Sequence, residues 1–498
     1  MKLKNNSLVG AESYMSESKR VVNSFIWRLA ERFGAQGVTF IVSIVLARLL
    51  DPKVYGILAL VTVFTSILQV FIDSGLGTAL IQKKDADDLD FSSVFYFNFA
   101  VCIVLYLIMF FAAPLIAAFY NNMPDLTRVI RVLSLTLLIS GVKNIQQAYV
   151  SRHLLFKRFF FATLGGTLGA AVLGIYLAWK GYGVWALVGQ YLFNTGMDTL
   201  ILWITVKWRP KKMFSFERLK ALLSFGWKLL GVSLLSTAYH DLRSLIIGKM
   251  YTPSDLAFYN RGKQLPQLIS TNVDVSIDSV LLPTMARKQD NKEAVKRMSR
   301  LSIQLGTYVI MPIMVGLGVC AEPVIKLVLT DKWLPCVPFL RIFCYTFSFF
   351  PIFTTNYNAY KALGRSDLYL RVTIRSKLMG IAVLLSTMWF GVMWIAYGVI
   401  LVNLLNQIIC SMPSRKLFNY SYKEQFMDFA PNLVISLIMG ALVYLVSLLR
   451  MNNIVILVLQ VITGVVSYVA LSVLSRNTSY RYILTQLKTH TRAKAQES

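Results

Sequence analysis

Five cysteines and three histidines in 498 residues leave little for disulfide or metal chemistry. Cys102, Cys320, Cys336, Cys344 and Cys410 sit in or beside apolar stretches, with no CxxC pair and no Cys/His ligand spacing. The sequence therefore predicts neither a disulfide framework nor a metal site. Acidic residues are also scarce, 24 against 51 Lys+Arg. Charged residues make up only 15% of the chain, where soluble domains carry about 25%. Long polar segments are missing too, so there is no room for a soluble catalytic domain. P-loop, GxGxxG, GxSxG and HExxH patterns do not occur, and ATP-driven transport would need a separate subunit.

What is present is apolar: 56% hydrophobic residues and a mean hydropathy of +0.58. Stretches long enough to span a hydrocarbon core of about 30 Å recur almost without pause. Fourteen spans are predicted, near 22–48, 54–80, 92–119, 127–150, 159–179, 183–206, 219–249, 255–285, 297–320, 335–361, 368–389, 392–412, 428–449 and 454–475. This is the pattern of an all-α polytopic membrane protein. The first stretch is too long for a signal-peptide core and has no small-residue cleavage site, so it is expected to stay as a transmembrane helix.

Lysine and arginine placement sets the orientation. With a cytoplasmic N-terminal tail and alternating spans, 32 basic residues fall on the cytoplasmic side and eight outside. Both termini are then cytoplasmic. The net charge of +27 is explained by topology and by contact with anionic lipid, not by nucleic-acid binding.

The chain resembles itself at an offset of about 200 to 211. Ser24-Phe25-Ile26-Trp27-Arg28 matches Ser224-Phe225-Gly226-Trp227-Lys228, and Val70 to Asp85 aligns without gaps on Val275 to Asp290. Ala113-Pro114-Leu115-Ile116 parallels Glu322-Pro323-Val324-Ile325, Gln147-Ala148-Tyr149 parallels Asn358-Ala359-Tyr360, and Gly183-Val184 parallels Gly391-Val392. Six spans thus repeat as six more in the same orientation, followed by two accessory spans. The expected organisation is a cytoplasmic tail over 1–20, an N-lobe over 21–212, a C-lobe over 213–418, accessory helices over 419–476 and a cytoplasmic tail over 477–498. Two parallel pseudo-symmetric lobes around a central cavity are a transporter architecture.

Several segments carry a family resemblance. Phe225-Gly226-Trp227-Lys228-Leu229-Leu230, Ile246-Ile247-Gly248-Lys249, Phe258-Tyr259-Asn260-Arg261 and Ala359-Tyr360-Lys361-Ala362-Leu363-Gly364-Arg365 resemble the Wzx-like polysaccharide flippases. So do Tyr55-Gly56 and Asp73-Ser74-Gly75-Leu76-Gly77. These flippases belong to the multidrug/oligosaccharidyl-lipid/polysaccharide exporter superfamily. The resemblance covers residues 20 to 475. It implies that an undecaprenyl-diphosphate-linked oligosaccharide moves between leaflets of a bacterial inner membrane by alternating access, for lipopolysaccharide or surface polysaccharide assembly. It further implies a monomer, no bound cofactor, coupling to protons or sodium, and a polysaccharide polymerase and glycosyltransferases as pathway partners.

A diphosphate calls for cations, arginine above all, and a charged side chain inside a membrane faces the protein interior or water. Arg28 and Arg32 lie one turn apart in the first span, and Arg32 would reach roughly 15 Å into the membrane. Arg261 lies in the eighth span, within the family pattern; Lys263 points elsewhere on that helix. Lys228 is the repeat partner of Arg28; each follows a tryptophan, a placement that also anchors helices at the interface. Candidates for coupling or gating are Asp73 and its repeat equivalent Asp278, with Asp274 one turn from the latter, and the mid-span group His240, Asp241 and Arg243. Asp198 is a further carboxylate in the sixth span. Each could instead belong to a structural hydrogen-bond network. Gln146, Gln147 and Tyr149, with Asn356, Tyr357, Asn358 and Tyr360, fit either sugar contacts or an aromatic belt. A cation-coupled multidrug exporter and a peptidoglycan-precursor flippase are the competing readings within the superfamily. A polysaccharide polymerase or ligase would need a sizeable outer loop, and the loops here are short.

Overall fold

A computed structural model describes residue 27 and residues 34–497 except 74, 122, 124 and 450; at 225, 228, 229, 487, 488 and 490–497 it describes only the backbone. Every regular element among the described residues is helical. The chain forms two compact units, Met1–Leu256 and Ala257–Ser498.

The first unit contains α1 (Gly34–Leu49), α2 (Pro52–Asp73), α3 (Leu76–Gln82), α4 (Asp88–Phe119), α5 (Leu126–Leu133), α6 (Leu135–Arg152), α7 (Phe156–Trp179), α8 (Val184–Thr205) and α9 (Phe216–Met250). The predicted second span is two helices, because Gly75 at φ 78° breaks it between α2 and α3. Only glycine adopts that left-handed backbone without penalty. The predicted fourth span is likewise split at Ser134 into α5 and α6. α9 packs against α2, α3 and α4.

α10 (Pro253–Ala286) starts in the first unit and continues in the second. There follow α11 (Lys292–Val319), α12 (Ala321–Val328), a 3-10 turn (Asp331–Cys336), α13 (Val337–Ser348), α14 (Phe350–Ala362), α15 (Ser366–Thr387) and α16 (Val392–Phe418). The accessory helices are α17 (Tyr422–Ser447) and α18 (Asn453–Leu474), and the predicted tail forms a further helix, α19 (Thr478–Glu497). The α5–α6 break recurs as α13–α14, whereas α10, the repeat partner of α2 and α3, runs unbroken.

Eight helical stretches among the described residues are long and apolar enough to cross a membrane, fewer than the fourteen expected. α9 and α10 are not among them. Both are longer than 30 residues, but charged residues within them, His240, Asp241 and Arg243 in one and Arg261, Asp274 and Asp278 in the other, dilute their hydropathy. Helices that line a polar interior are expected to have this mixed composition.

The end of the first unit that is rich in lysine and arginine is held by an aromatic core in which Phe91, Phe95, Phe159 and Trp208 pack with Leu80, Leu202 and Leu219. Much of the basic charge there has a structural task. Arg152 donates to the carbonyls of Leu80, Lys83 and Lys84, closing the end of α3. Arg209 does the same for α8 through the carbonyls of Trp203, Val206 and Trp208. Lys83 pairs with the buried Asp90 at 2.6 Å, and Arg218 with Asp87 at 2.6 Å. In the second unit, Arg300 donates from Nε and Nη2 to the buried Asp428, tying α11 to α17. Tyr420 and Gln304 complete that carboxylate's shell at 2.7 and 2.8 Å.

Candidate translocation site

In the first unit one polar cluster forms where α2 packs against α9. Ser66 lies about 21 Å along α2 from Pro52, at 1.5 Å per residue, and donates to Asp241 Oδ2 at 2.7 Å. Asp241 Oδ1 lies 3.1 Å from His240 Nδ1. His240 is exposed and the Asp241 side chain only 18% so; a proton on the imidazole would make the contact an ion pair. Arg243, one turn on, faces the Tyr239 ring at 5.7 Å. The three predicted mid-span residues are thus adjacent, and Ser66 of α2 is one partner of Asp241 on another helix.

Near the start of α2 the packing is close at two glycines, Gly56 against the first residue of α10 and Gly248 of α9 against α2. A methyl at Gly56 would overlap the Pro253 carbonyl, and one at Gly248 would overlap the Leu60 side chain. Lys249 donates to the Phe119 carbonyl and lies 4.5 Å from the Phe119 ring. Tyr55-Gly56 and Ile246-Ile247-Gly248-Lys249 therefore make the helix crossing that positions Ser66 against Asp241.

Asp73 ends α2 and is exposed. It accepts from Gln69 Nε2 at 3.0 Å and from Asn144 Nδ2 at 2.7 Å, so its partners are amides of α2 and α6. In the second unit the corresponding contact uses Asp274, which accepts from Ser270 Oγ at 3.2 Å and from Thr354 Oγ1 of α14 at 3.1 Å. Asp278 is exposed and has no ion pair among the described residues. Arg261, half-buried, donates to Gln264 Oε1 at 2.7 Å, and its guanidinium carbon lies 5.0 Å from the Trp333 ring. Arg28 and Arg32 lie outside the described residues, as does the side chain of Lys228.

Asp198 of α8 forms a largely buried ion pair with Lys143 of α6 at 3.0 Å, while its Oδ1 is buried with no hydrogen bond among the described residues. Lys143 was not singled out from the sequence. A lone lysine within a span needs an anion, and that requirement alone would have pointed towards Asp198. Ser66, Gln69, Asn144 and Thr354 were also missed; hydroxyls and amides in a helix give no signal until the neighbouring helix is known. The proposed sugar contacts at Gln146, Asn356, Asn358 and Tyr360 are corrected. These side chains are fully or almost fully buried; Gln146 bonds to the Trp208 carbonyl, Asn356 to Gln425 and Tyr360 to Ser414, while both amide atoms of Asn358 have no hydrogen bond among the described residues. Tyr149 stacks on His153 at 4.0 Å. Buried polar groups seek partners, and for Gln146 Nε2, Asn356 and Tyr360 the neighbouring helices supply them.

Comparison with known proteins gives this arrangement a family. Residues 45–338 match the family described as "Polysaccharide biosynthesis protein". The lipopolysaccharide biosynthesis protein WzxC of Escherichia coli (strain K12) is 24% identical over 439 residues, covering 86% of this chain and 89% of its own. The succinoglycan biosynthesis transport protein ExoT of Rhizobium meliloti (strain 1021) is 24% identical over 327 residues, covering 65% and 66%. The match thus spans just under two thirds of the length of ExoT and most of WzxC. Among solved structures, the lipid II flippase MurJ in an inward closed conformation superposes with a TM-score of 0.76 at 15% identity, covering 91% of this chain and 99% of that one. An inward-facing MATE-family multidrug resistance transporter gives 0.58 at 15% identity, covering 78% and 95%. These two establish the fold. The chain belongs to the family described as polysaccharide biosynthesis protein.

Proposed function

We propose that this polysaccharide biosynthesis transporter flips an undecaprenyl-diphosphate-linked oligosaccharide from the cytoplasmic to the outer leaflet of a bacterial inner membrane, by alternating access. The carrying observation is that α9 and α10 keep charged groups at membrane depth, with Asp241 hydrogen-bonded to α2 and Arg261 stacked on Trp333. Retaining such groups in a span is costly unless they serve a polar path. The match to polysaccharide biosynthesis proteins supports this substrate class, and its diphosphate is the anion for which Arg32 and Arg261 are the candidate cations. In this reading the lysine- and arginine-rich end faces the cytoplasm, both termini lie there, and the chain works as a monomer alongside a polymerase and glycosyltransferases. Proton or sodium entry drives the cycle, with the Asp241–His240 pair as the group that responds.

A leaflet assay tests this in a strain lacking the gene. Loss of the protein should leave undecaprenyl-diphosphate oligosaccharide on the cytoplasmic side. Arg32→Ala and Arg261→Ala should reproduce the defect at normal protein levels. Accumulation with both variants fully active would keep the flippase and discard the cationic site. A normal lipid distribution with altered drug sensitivity would overturn the reading.

A further inference from the structure

Where the loop after α6 enters α7, at the lysine- and arginine-rich end of the first unit, lies a groove of about 410 Å³ lined by Leu155, Lys157, Arg158, Phe161 and Thr205. We propose that this groove binds the phosphate headgroup of an anionic phospholipid of the cytoplasmic leaflet, with an acyl chain along Leu155 and Phe161.

Among the described residues, uncommitted cations also occur elsewhere at that end, at Lys207 and Lys212; the groove is set apart by having two of them beside an apolar wall. Arg152, Arg209, Arg218 and Lys83 are committed to carbonyls or carboxylates. Lys157 and Arg158 have no ion-pair partner among the described residues, and Lys157 Nζ lies 5.5 Å over the Trp27 ring. Trp27 in turn packs edge-on against Phe160 at 5.2 Å. A tryptophan beside a lysine at the end of a span is an interface arrangement, with the ring at headgroup depth and the ammonium reaching water.

The walls are amphipathic in the same sense. Phe161 is 51% exposed, and Ile204, beside Thr205, is 71% exposed. Such side chains at the end of two spanning helices belong against lipid tails. A free phosphate would leave this apolar wall unused. A lipid-linked sugar diphosphate carries two negative charges and would take up both cations, one of them already over an indole; a phosphodiester carries one charge and leaves the other cation at that ring. Basic pockets between spanning helices at the cytoplasmic face are a known physical solution for holding anionic headgroups.

Native mass spectrometry of the full chain, purified in detergent and titrated with phosphatidylglycerol, phosphatidylcholine, undecaprenyl phosphate or inorganic phosphate, tests the proposal. The expected result is preferential retention of phosphatidylglycerol, weakened about 30-fold in the Lys157→Gln/Arg158→Gln double variant. A Lys207→Gln/Lys212→Gln control removes the same charge from the same end and should bind as wild type. Equal retention of phosphatidylcholine, equal loss in both double variants, or an unchanged Lys157→Gln/Arg158→Gln variant would overturn the proposal. Stronger binding of undecaprenyl phosphate or inorganic phosphate at this groove would also overturn it. Should the double variant not fold, Arg158→Gln alone must still weaken phosphatidylglycerol several-fold. Failure here leaves the flippase reading untouched, because the leaflet assay does not involve these residues.

Discussion

At Gly56 and Gly248 the missing methyl decides whether two helices can cross. The obstacle at Gly56 is the Pro253 carbonyl, which is backbone; at Gly248 it is chiefly the end of the Leu60 side chain. Backbone cannot turn aside, so Gly56→Ala should destabilise more than Gly248→Ala. Overpacking of this kind costs about 1–3 kcal/mol, and thermal unfolding of the purified chain in one detergent ranks the two variants. The opposite ranking would show that the crossing is not held as described. Asp428 makes a different residue-scale case. Its carboxylate is buried and accepts from Arg300, Gln304 and Tyr420. Arg300→Leu strands that charge and should destabilise the chain. The cost should fall below the ~3–5 kcal/mol of a fully buried pair, because Arg300 is itself 46% exposed. Asp87 adds a pH dependence. The Asp90 backbone N–H, then the Arg218 guanidinium, hold its carboxyl at about 2, below its ordinary 3.8. A lowered value stabilises the fold above the ordinary one, and that contribution fades as pH falls from 3.8 towards 2. Asp87→Asn should therefore lower the unfolding midpoint at pH 7 and leave a smaller difference from wild type near pH 3.

At the scale of elements, helix positions were readable from hydropathy, and the interruptions were readable only in part. Gly75 lies within Asp73-Ser74-Gly75-Leu76-Gly77, but a glycine in an apolar run does not announce that its φ is positive. The fourth and tenth spans were predicted unbroken because α5–α6 and α13–α14 each continue the same apolar run after a short step at Ser134 or Phe349. α9 and α10 reverse the usual signal: what lowers their hydropathy is what makes them candidates for lining a path. The resemblance segments also take on physical meaning here. Gly56 and Gly248 allow a crossing, Lys249 caps α4, Tyr259 packs against Phe343 at 5.2 Å, and Gly364 turns the chain at φ 69°. Arg365 then holds Asp367 through two bonds of 2.9 and 3.0 Å. These are joints of the fold, and they are legible as a family because joints constrain sequence tightly. Gly75→Ala tests one of them. Placing Ala in the left-handed region costs about 1–2 kcal/mol, so this variant should unfold earlier than Gly37→Ala, a site where a methyl meets nothing within 4 Å.

For the whole molecule, the repeat was visible because order and spacing survive when identity does not. Pairing was not visible: which helix meets α2 is a property of packing, and Asp241 finds Ser66 across 175 residues of sequence. Charge placement predicts the orientation, with the lysine- and arginine-rich end in the cytoplasm. Many cations at the basic end close helix termini or pair with carboxylates; those bonds persist whichever way the chain is inserted, so the orientation rests on the bias against translocating positive charge. The five cysteines are buried, which makes single introduced thiols informative. Lys212→Cys, on the exposed segment before α9, should resist an impermeant maleimide in intact spheroplasts and react once the membrane is opened. Lys180→Cys, in the turn between α7 and α8, should react in intact spheroplasts. The reverse pattern would invert the orientation and, with it, the direction of transport proposed for the lipid-linked sugar.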